Sequence, residues 1–197
     1  MENDMTDVLF DLEGGFLPRG YGFPLWKAIS ALLPWLEDQR QAGILPLKGS
    51  PSGEHLLLPK RAKLALRIPG QFAQTAMALC GKTLDVDGTP LKIGSGRQKA
   101  IEPYPTLHAQ IVESTKNETD FIDDVSKNLA EMQISCKLIC GKHQTLKHGK
   151  DVVSGYSLVV HDLKPAESIR LQYWGLGDHR HFGCGLFVPH KTIAGLE

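Results

Sequence analysis

A chain of 197 residues with 42% hydrophobic and 22% charged residues has a globular composition, which excludes disorder, collagen and a disulfide-packed miniprotein. It is long enough for a single domain or for two half-sized ones. Twenty-two Lys plus Arg balance twenty-two Asp plus Glu, so any basic site must come from segregation of charge and not from net charge.

No apolar run approaches the roughly 18 residues of a membrane span, and the start Met1-Glu2-Asn3-Asp4 lacks a signal-peptide layout, so a cytoplasmic protein without a membrane partner is expected. Cys80, Cys136, Cys140 and Cys184 are scattered through apolar segments, as reduced thiols would be.

In chain order, Thr6 to Phe10 reads as a strand followed by a Gly14-Gly15 break. Pro24 suits a first helical residue, and Leu25, Ile29, Leu32, Leu33 and Leu36 recur on one helical face until Pro34 kinks or interrupts it. From Glu54 to Ile68 a period of two around Pro59 predicts a hairpin-like strand pair. Gln71 to Cys80 reads helical, and Thr83 to Ile93 reads as two strands around the Asp87-Gly88 turn. The polar, glycine-bearing run Gly94-Ser95-Gly96-Arg97-Gln98-Lys99 falls at the midpoint and reads as a linker, dividing the chain into domains 1–98 and 99–197.

The second half repeats the order. Thr106 to Val112 is a predicted strand, Thr119 to Met132 a helix, Cys136 to Cys140 and Val152 to His161 strands, Pro165 to about Tyr173 a helix, and Phe182 to Val188 a closing strand. Two β-α-β-β-α-β runs predict an α+β protein of tandem ferredoxin-like repeats, the plan of an RNA-recognition motif.

Charge is segregated in two places. Lys60, Arg61, Lys63 and Arg67 crowd one strand region, with Arg61, Lys63 and Arg67 on the face opposite Leu64, Leu66 and Ile68. Lys142, His143, Lys147, His148 and Lys150 lie in the expected hairpin loop between the middle strands of the second half. Both suit the phosphates of an RNA stem, which is gripped through backbone and shape because its major groove hides the bases.

The run Gly175-Leu176-Gly177-Asp178-His179-Arg180-His181-Phe182-Gly183-Cys184-Gly185 sets four glycines around a basic tip. Gly175, Gly177, Gly183 and Gly185 permit positive φ and close backbone approach, so the loop is expected to present N–H groups, His179 and Arg180 to a phosphate backbone.

This loop resembles the C-terminal glycine-rich signature of the RAMP superfamily. With Phe10-Asp11-Leu12, Gly20-Tyr21, Leu33-Pro34-Trp35-Leu36, Thr83-Leu84-Asp85-Val86 and Cys184-Gly185-Leu186-Phe187-Val188-Pro189-His190-Lys191, the chain is similar to the CRISPR precursor-RNA processing endoribonucleases, in the branch found in MYXAN-subtype systems. The resemblance implies a metal-independent nuclease without cofactor that cuts once within each repeat. Attack by the 2′-hydroxyl leaves a 2′,3′-cyclic phosphate and a 5′-hydroxyl. It also implies retention on the crRNA hairpin beside other effector-complex subunits.

In that branch a histidine tends to precede the glycine that is Gly20 here and to follow the apolar position that is Ile44; this chain has Arg19 and Leu45. The nearest remaining imidazole is His55, in the Pro51-Ser52-Gly53-Glu54 loop, which makes it the candidate general base. Tyr21 is a candidate donor or orienting phenol, and Lys48 and Arg19 are candidates to stabilise the charged phosphate or bind RNA. A catalytically inactive hairpin-binding subunit is the competing reading.

Two patterns are set aside. Cys136, Cys140, His143 and His148 loosely resemble a zinc set, but a strand from Cys136 to Cys140 spans about 13 Å, too far for one ion. His143-Gln144-Thr145 and His190-Lys191-Thr192 both fit the H-x-T signature of two-histidine phosphoesterases, yet both fall in the second half.

Overall fold

The computed structural model describes residues 4–190; Met1 to Asn3, and Lys191 and Thr192 of the second H-x-T match, lie outside them. The chain forms two compact units. Of the described residues, one holds those up to Ala100 together with Lys147–Asp151 and Arg180–Gly183, and the other holds Ile101–Leu146, Val152–His179 and residues 184–190.

In the first unit β1 (Met5–Glu13) and the short β2 (Phe16–Pro18) precede α1 (Gly22–Leu32). Pro34 ends that helix, because the residue before a proline is pushed out of the helical region. Leu33 takes φ −126° and ψ 70°, and a 3₁₀ turn runs over Pro34–Asp38. Phe23, Leu25, Trp26 and Ile29 bury the inner face of α1, while Leu32, expected on that face, is 44% exposed at the helix end.

Next come β3 (Gly43–Ile44), β4 (Ser50–Ser52), β5 (His55–Leu57) and β6 (Lys63–Pro69). The Gln71 to Cys80 segment, predicted as one helix, is α2 (Ala73–Ala76) between 3₁₀ turns over Gly70–Phe72 and Met77–Leu79. Strands β7 (Thr83–Val86) and β8 (Thr89–Ala100) then form the hairpin around Asp87-Gly88.

The main sheet of this unit runs β3-β6-β1-β8-β7, with β1 antiparallel to both β6 and β8. Apart from the added edge strand β7, this is the split βαβ order of a ferredoxin-like fold. Val8, Phe10, Leu64, Leu66, Leu91 and Ile93 bury one face in a core shared with Leu25, Ile29 and Leu36.

Two expectations change here. Glu54 to Ile68 is not one hairpin: β5 pairs with β2 and β4 in a separate sheet of order β2-β5-β4, while β6 joins the main sheet. The glycine-bearing midpoint run is strand, not linker, for β8 pairs along β1 from Lys92 to Ala100. Gly96 is there for proximity and not for flexibility, since a Cβ would lie 2.8 Å from Phe10 Cε1 and Met77 Sδ.

The second unit contains β9 (Leu107–Glu113), α3 (Glu118–Glu131), β10 (Lys137–His148), β11 (Asp151–His161), α4 (Pro165–Trp174) and β12 (Val188–Pro189). Its sheet order, β10-β11-β9-β12, is the ferredoxin-like order again, with β9 antiparallel to β11 and β12. Asn117 caps α3 by accepting the Asp120 N–H at 3.0 Å, and acids fill its first turn where the helix dipole favours them. Phe121, Val125 and Leu129 pack on Leu107, Ala109, Leu158 and Val160. The closing strand predicted from Phe182 shrinks to Val188–Pro189, because residues 180–187 are taken up by a 3₁₀ turn and glycine turns.

Candidate nucleic-acid interface

The candidate residues of the first half gather around the small sheet β2-β5-β4. Its register sets Pro18, His55 and Ser52 in one row and Phe16, Leu57 and Ser50 in another. The tight turn between β4 and β5 carries Gly53 and Glu54, and the Glu54 carbonyl accepts the Arg19 N–H at 3.0 Å. Arg19 therefore stands at the strand end beside His55. Both side chains are exposed.

Lys48 is exposed too but lies four residues from Ser52, roughly 13 Å along extended chain from the His55 row. What fixes Lys48 is Tyr21. The Leu47 N–H donates to the Tyr21 hydroxyl at 2.9 Å, and burial pushes the phenol above its ordinary pKa, so the group is a neutral brace for the Leu47–Lys48 backbone. Gly20 packs with no room for a side chain, since a Cβ there would lie 2.5 Å from the Lys147 carbonyl oxygen. Lys147 and Lys150, at the tip that joins β10 to β11, belong to this same compact unit and are exposed.

Residues 180–183 of the glycine-rich loop also belong to it. His181 stacks on Trp26 at 4.3 Å and Phe182 on Phe23 at 4.1 Å, with His148 stacked on the same Phe23 at 5.9 Å. A Cβ on Gly183 would lie 3.2 Å from the Ile44 carbonyl oxygen. These aromatic contacts had no sequence signal beyond single aromatic residues.

The loop itself corrects an expectation. The N–H groups of Gly175, Gly183 and Gly185 donate to the carbonyls of Leu171, Arg180 and Ile111, at 2.8, 2.9 and 2.7 Å, so these donors are spent inside the protein and not offered to phosphate. Gly185 is required by shape: at φ 66° a side chain would fall on the Leu176 carbonyl. His179 is exposed and bonded through Nδ1 to Glu113 at 2.6 Å, Gly177 is exposed, and Arg180 is half-buried in its 3₁₀ turn. Cys184 is buried, which pushes its thiol up to about 12.

The basic stripe on β6 is likewise corrected. Arg67 is 1% exposed and forks onto both carboxylate oxygens of Asp7 at 2.8 and 3.0 Å, while Lys63 is paired with Asp11. Because Asp7 and Asp11 stand directly opposite on β1, these cations are cross-strand partners, Arg67 buried and Lys63 exposed. Lys60 and Arg61, just ahead of the strand, remain exposed.

The second predicted cluster is strand up to His148, with only Lys150 in the turn, and it divides: exposed Lys142 and His143, the latter edge-on to Tyr156 at 4.9 Å, lie in the second unit. Among the described residues no group of three or more His, Cys, Asp or Glu could hold a metal ion. A cleft of about 920 Å³ beside α1 is lined by Phe23, Trp26, Lys27, Asp85, Asp87, His148 and Asp151, so acids outnumber bases in it.

The profile described as Cas6 Crispr matches residues 6–192. The chain belongs to the Cas6 family. It is 33% identical over 195 residues to the CRISPR-associated endonuclease Cas6 of Myxococcus xanthus, covering 98% of this chain and 84% of that one. Among solved structures it is similar to a CRISPR associated protein Cas6, with a TM-score of 0.67, 12% identity and coverage of 95% and 100% of the two chains. It is similar also to a structure described as an RAMP protein binding different RNA substrates, with a TM-score of 0.67, 14% identity and coverage of 92% and 98%. At those identities the likeness concerns the fold, which in this Cas6 protein is the tandem ferredoxin-like α+β fold. No helix among the described residues is long and apolar enough to cross a membrane.

Proposed function

We propose that this Cas6 protein cuts precursor CRISPR RNA within each repeat without a metal ion and remains on the crRNA hairpin, beside other subunits of an effector complex. The observation that carries the proposal is the row of Pro18, His55 and Ser52, with His55 and Ser52 exposed and exposed Arg19 at its edge.

His55 takes the proton of the upstream 2′-hydroxyl as its oxygen bonds to the adjacent phosphorus. The bond to the next nucleotide's 5′-oxygen breaks, and that oxygen leaves as a hydroxyl with a proton from solvent, to which the His55 imidazolium returns its own, so the products are a 2′,3′-cyclic phosphate and a 5′-hydroxyl. Arg19 offsets the charge that builds on the phosphoryl oxygens. Lys48, braced by Tyr21, holds a neighbouring phosphate, and Lys60, Arg61, Lys147 and Lys150 extend the grip, with Lys142 and His143 as further contacts. The family relationship and the relative named as an endonuclease support the reaction class.

A second reading, an inactive hairpin-holding subunit, is favoured by Leu45. At this position, where the resemblance implies a histidine, the side chain is 9% exposed and apolar and the N–H is bonded to Ala65. Incubation with cognate repeat RNA in excess EDTA, followed by end-group analysis, separates the two. Cleavage giving a cyclic phosphate, lost with a 2′-deoxy substrate and lowered about 10²–10⁴-fold by His55→Ala, is the expected result. Tight binding without cleavage establishes the second reading.

A further inference from the structure

The small sheet β2-β5-β4 is two-faced. Leu17 is fully buried and Leu56 packs against the core, so one face is accounted for. By strand alternation the other carries Phe16, Leu57 and Ser50 in one row and Pro18, His55 and Ser52 in the next. There Phe16 is 43% exposed and Leu57 46%, although both are large and apolar. Phe16 meets His55 edge-on, with ring centroids 4.7 Å apart and planes at 79°.

Cations stand at both ends of this face, Arg19 at the His55 end and Lys48 and Lys60 at the Leu57 end. Arg19 follows Pro18, Lys48 precedes Ser50 by two residues, and Lys60 follows Leu57 by three. Among the described residues none of the three is held in an ion pair, whereas the neighbouring acid Glu13 is taken by Lys92 at 2.9 Å, leaving Glu54 of the turn as the acid closest in sequence. An exposed aromatic ring framed by unpaired cations matches single-stranded nucleic acid, whose bases offer a π-face and whose backbone offers phosphates. The scale agrees: three strands about 4.8 Å apart make a platform about 10 Å wide, room for one or two bases and too narrow for a duplex.

We infer that this face seats an unpaired nucleotide of the RNA, its base stacked on Phe16 against Leu57 and its ribose and phosphate turned toward His55. The inference rests on the RNA-cleaving reading and adds that the nucleotide at the cut must be unpaired and is recognised by stacking, tolerant of which base it is.

The test uses the full chain and a cognate repeat RNA made uncleavable by 2′-deoxy substitution, with single nucleotides flanking the cut replaced in turn by abasic residues. Phe16→Ala is expected to weaken binding of the intact RNA about tenfold. One abasic position should weaken binding to the unaltered protein by a similar factor and add nothing to Phe16→Ala, while Phe16→Trp should retain affinity. Phe16→Leu, which keeps an apolar side chain without a ring, should behave like the alanine variant, separating stacking from packing.

Equal affinity of folded Phe16→Ala, Phe16→Leu and unaltered protein for every RNA overturns the platform even where the unaltered protein binds and cuts, and points to a protein partner on this face. Failure of the unaltered protein to bind repeat RNA at all overturns the platform together with the functional reading beneath it.

Discussion

The main sheet and the small sheet of the first unit both carry lysines and arginines, and they use them in opposite ways. On β6 the cations Lys63 and Arg67 stand across from Asp11 and Asp7 of β1, and at the next strand Lys92 reaches Glu13, so these three charges are answered within the sheet. Around β2, β4 and β5 the exposed cations Arg19, Lys48 and Lys60 lie just beyond the paired residues, and none is in an ion pair among the described residues, although the Glu54 carbonyl accepts the Arg19 N–H. A lysine or arginine thus pairs within its sheet where an acidic strand stands opposite, and stays exposed and without an ion pair at the ends of the small sheet.

Removing the best-buried of the paired cations should have the largest effect. Arg67→Ala strands the Asp7 carboxylate, and breaking a buried pair by removing one partner costs about 3 kcal/mol or more, a loss that chemical denaturation would measure. RNA affinity of the folded fraction should hardly change. A collapse of RNA binding without loss of stability would break the comparison.

The framing cations should show the reverse. Arg19→Ala and Lys48→Ala are each expected to leave the denaturation midpoint in place, to weaken RNA binding about 5- to 10-fold and to reduce the salt dependence of binding by about one ion, seen by titration at several salt concentrations. Unchanged salt slopes would remove them from the interface.

The smallest effect belongs to the exposed pair of Lys63 with Asp11. The Lys63 contact, with help from the Ser95 hydroxyl, holds the Asp11 carboxyl below its ordinary pKa. A lowered folded-state pKa gives stability that is present above the ordinary carboxylate range and lost as pH falls through the folded value. Lys63→Ala should therefore differ only slightly from the parent near neutral pH, and the two denaturation curves should converge in acid, because solvent screens an exposed pair. A variant as costly as Arg67→Ala would mean that exposure does not set the difference.

Much of the fold was legible in the sequence. The four-residue spacing of Phe121, Val125 and Leu129, the prolines at 34 and 165, and the repeated strand-helix order give the two ferredoxin-like units, because these signals depend on neighbours along the chain. The same local reading failed for Gly94 to Lys99. Polar residues and glycines there resemble a linker, yet the strand is held by β1, from a distant part of the sequence, and Gly96 is needed because Phe10 and Met77 come close.

The candidate site was legible only in part. His55, Arg19 and Lys48 could be named by residue type, but Phe16 could not: a single phenylalanine after Gly14-Gly15 carries no signal of exposure, and only the pairing of β2 with β5 sets it beside His55. The glycine-rich loop shows the converse. Its pattern was unmistakable in the sequence, but whether its N–H groups faced solvent or the carbonyls of Leu171, Arg180 and Ile111 was not.

What the sequence by itself determined was the set of elements, their order and the presence of a glycine-rich turn, since helix faces, strand alternation and glycine conformation are properties of short stretches. Only the tertiary structure decided which cations are answered, which aromatic side chain is exposed and which donors are spent. Burial and ion pairing depend on partners that the chain brings together from far apart, Arg67 with Asp7 and Gly20 with Lys147 among them.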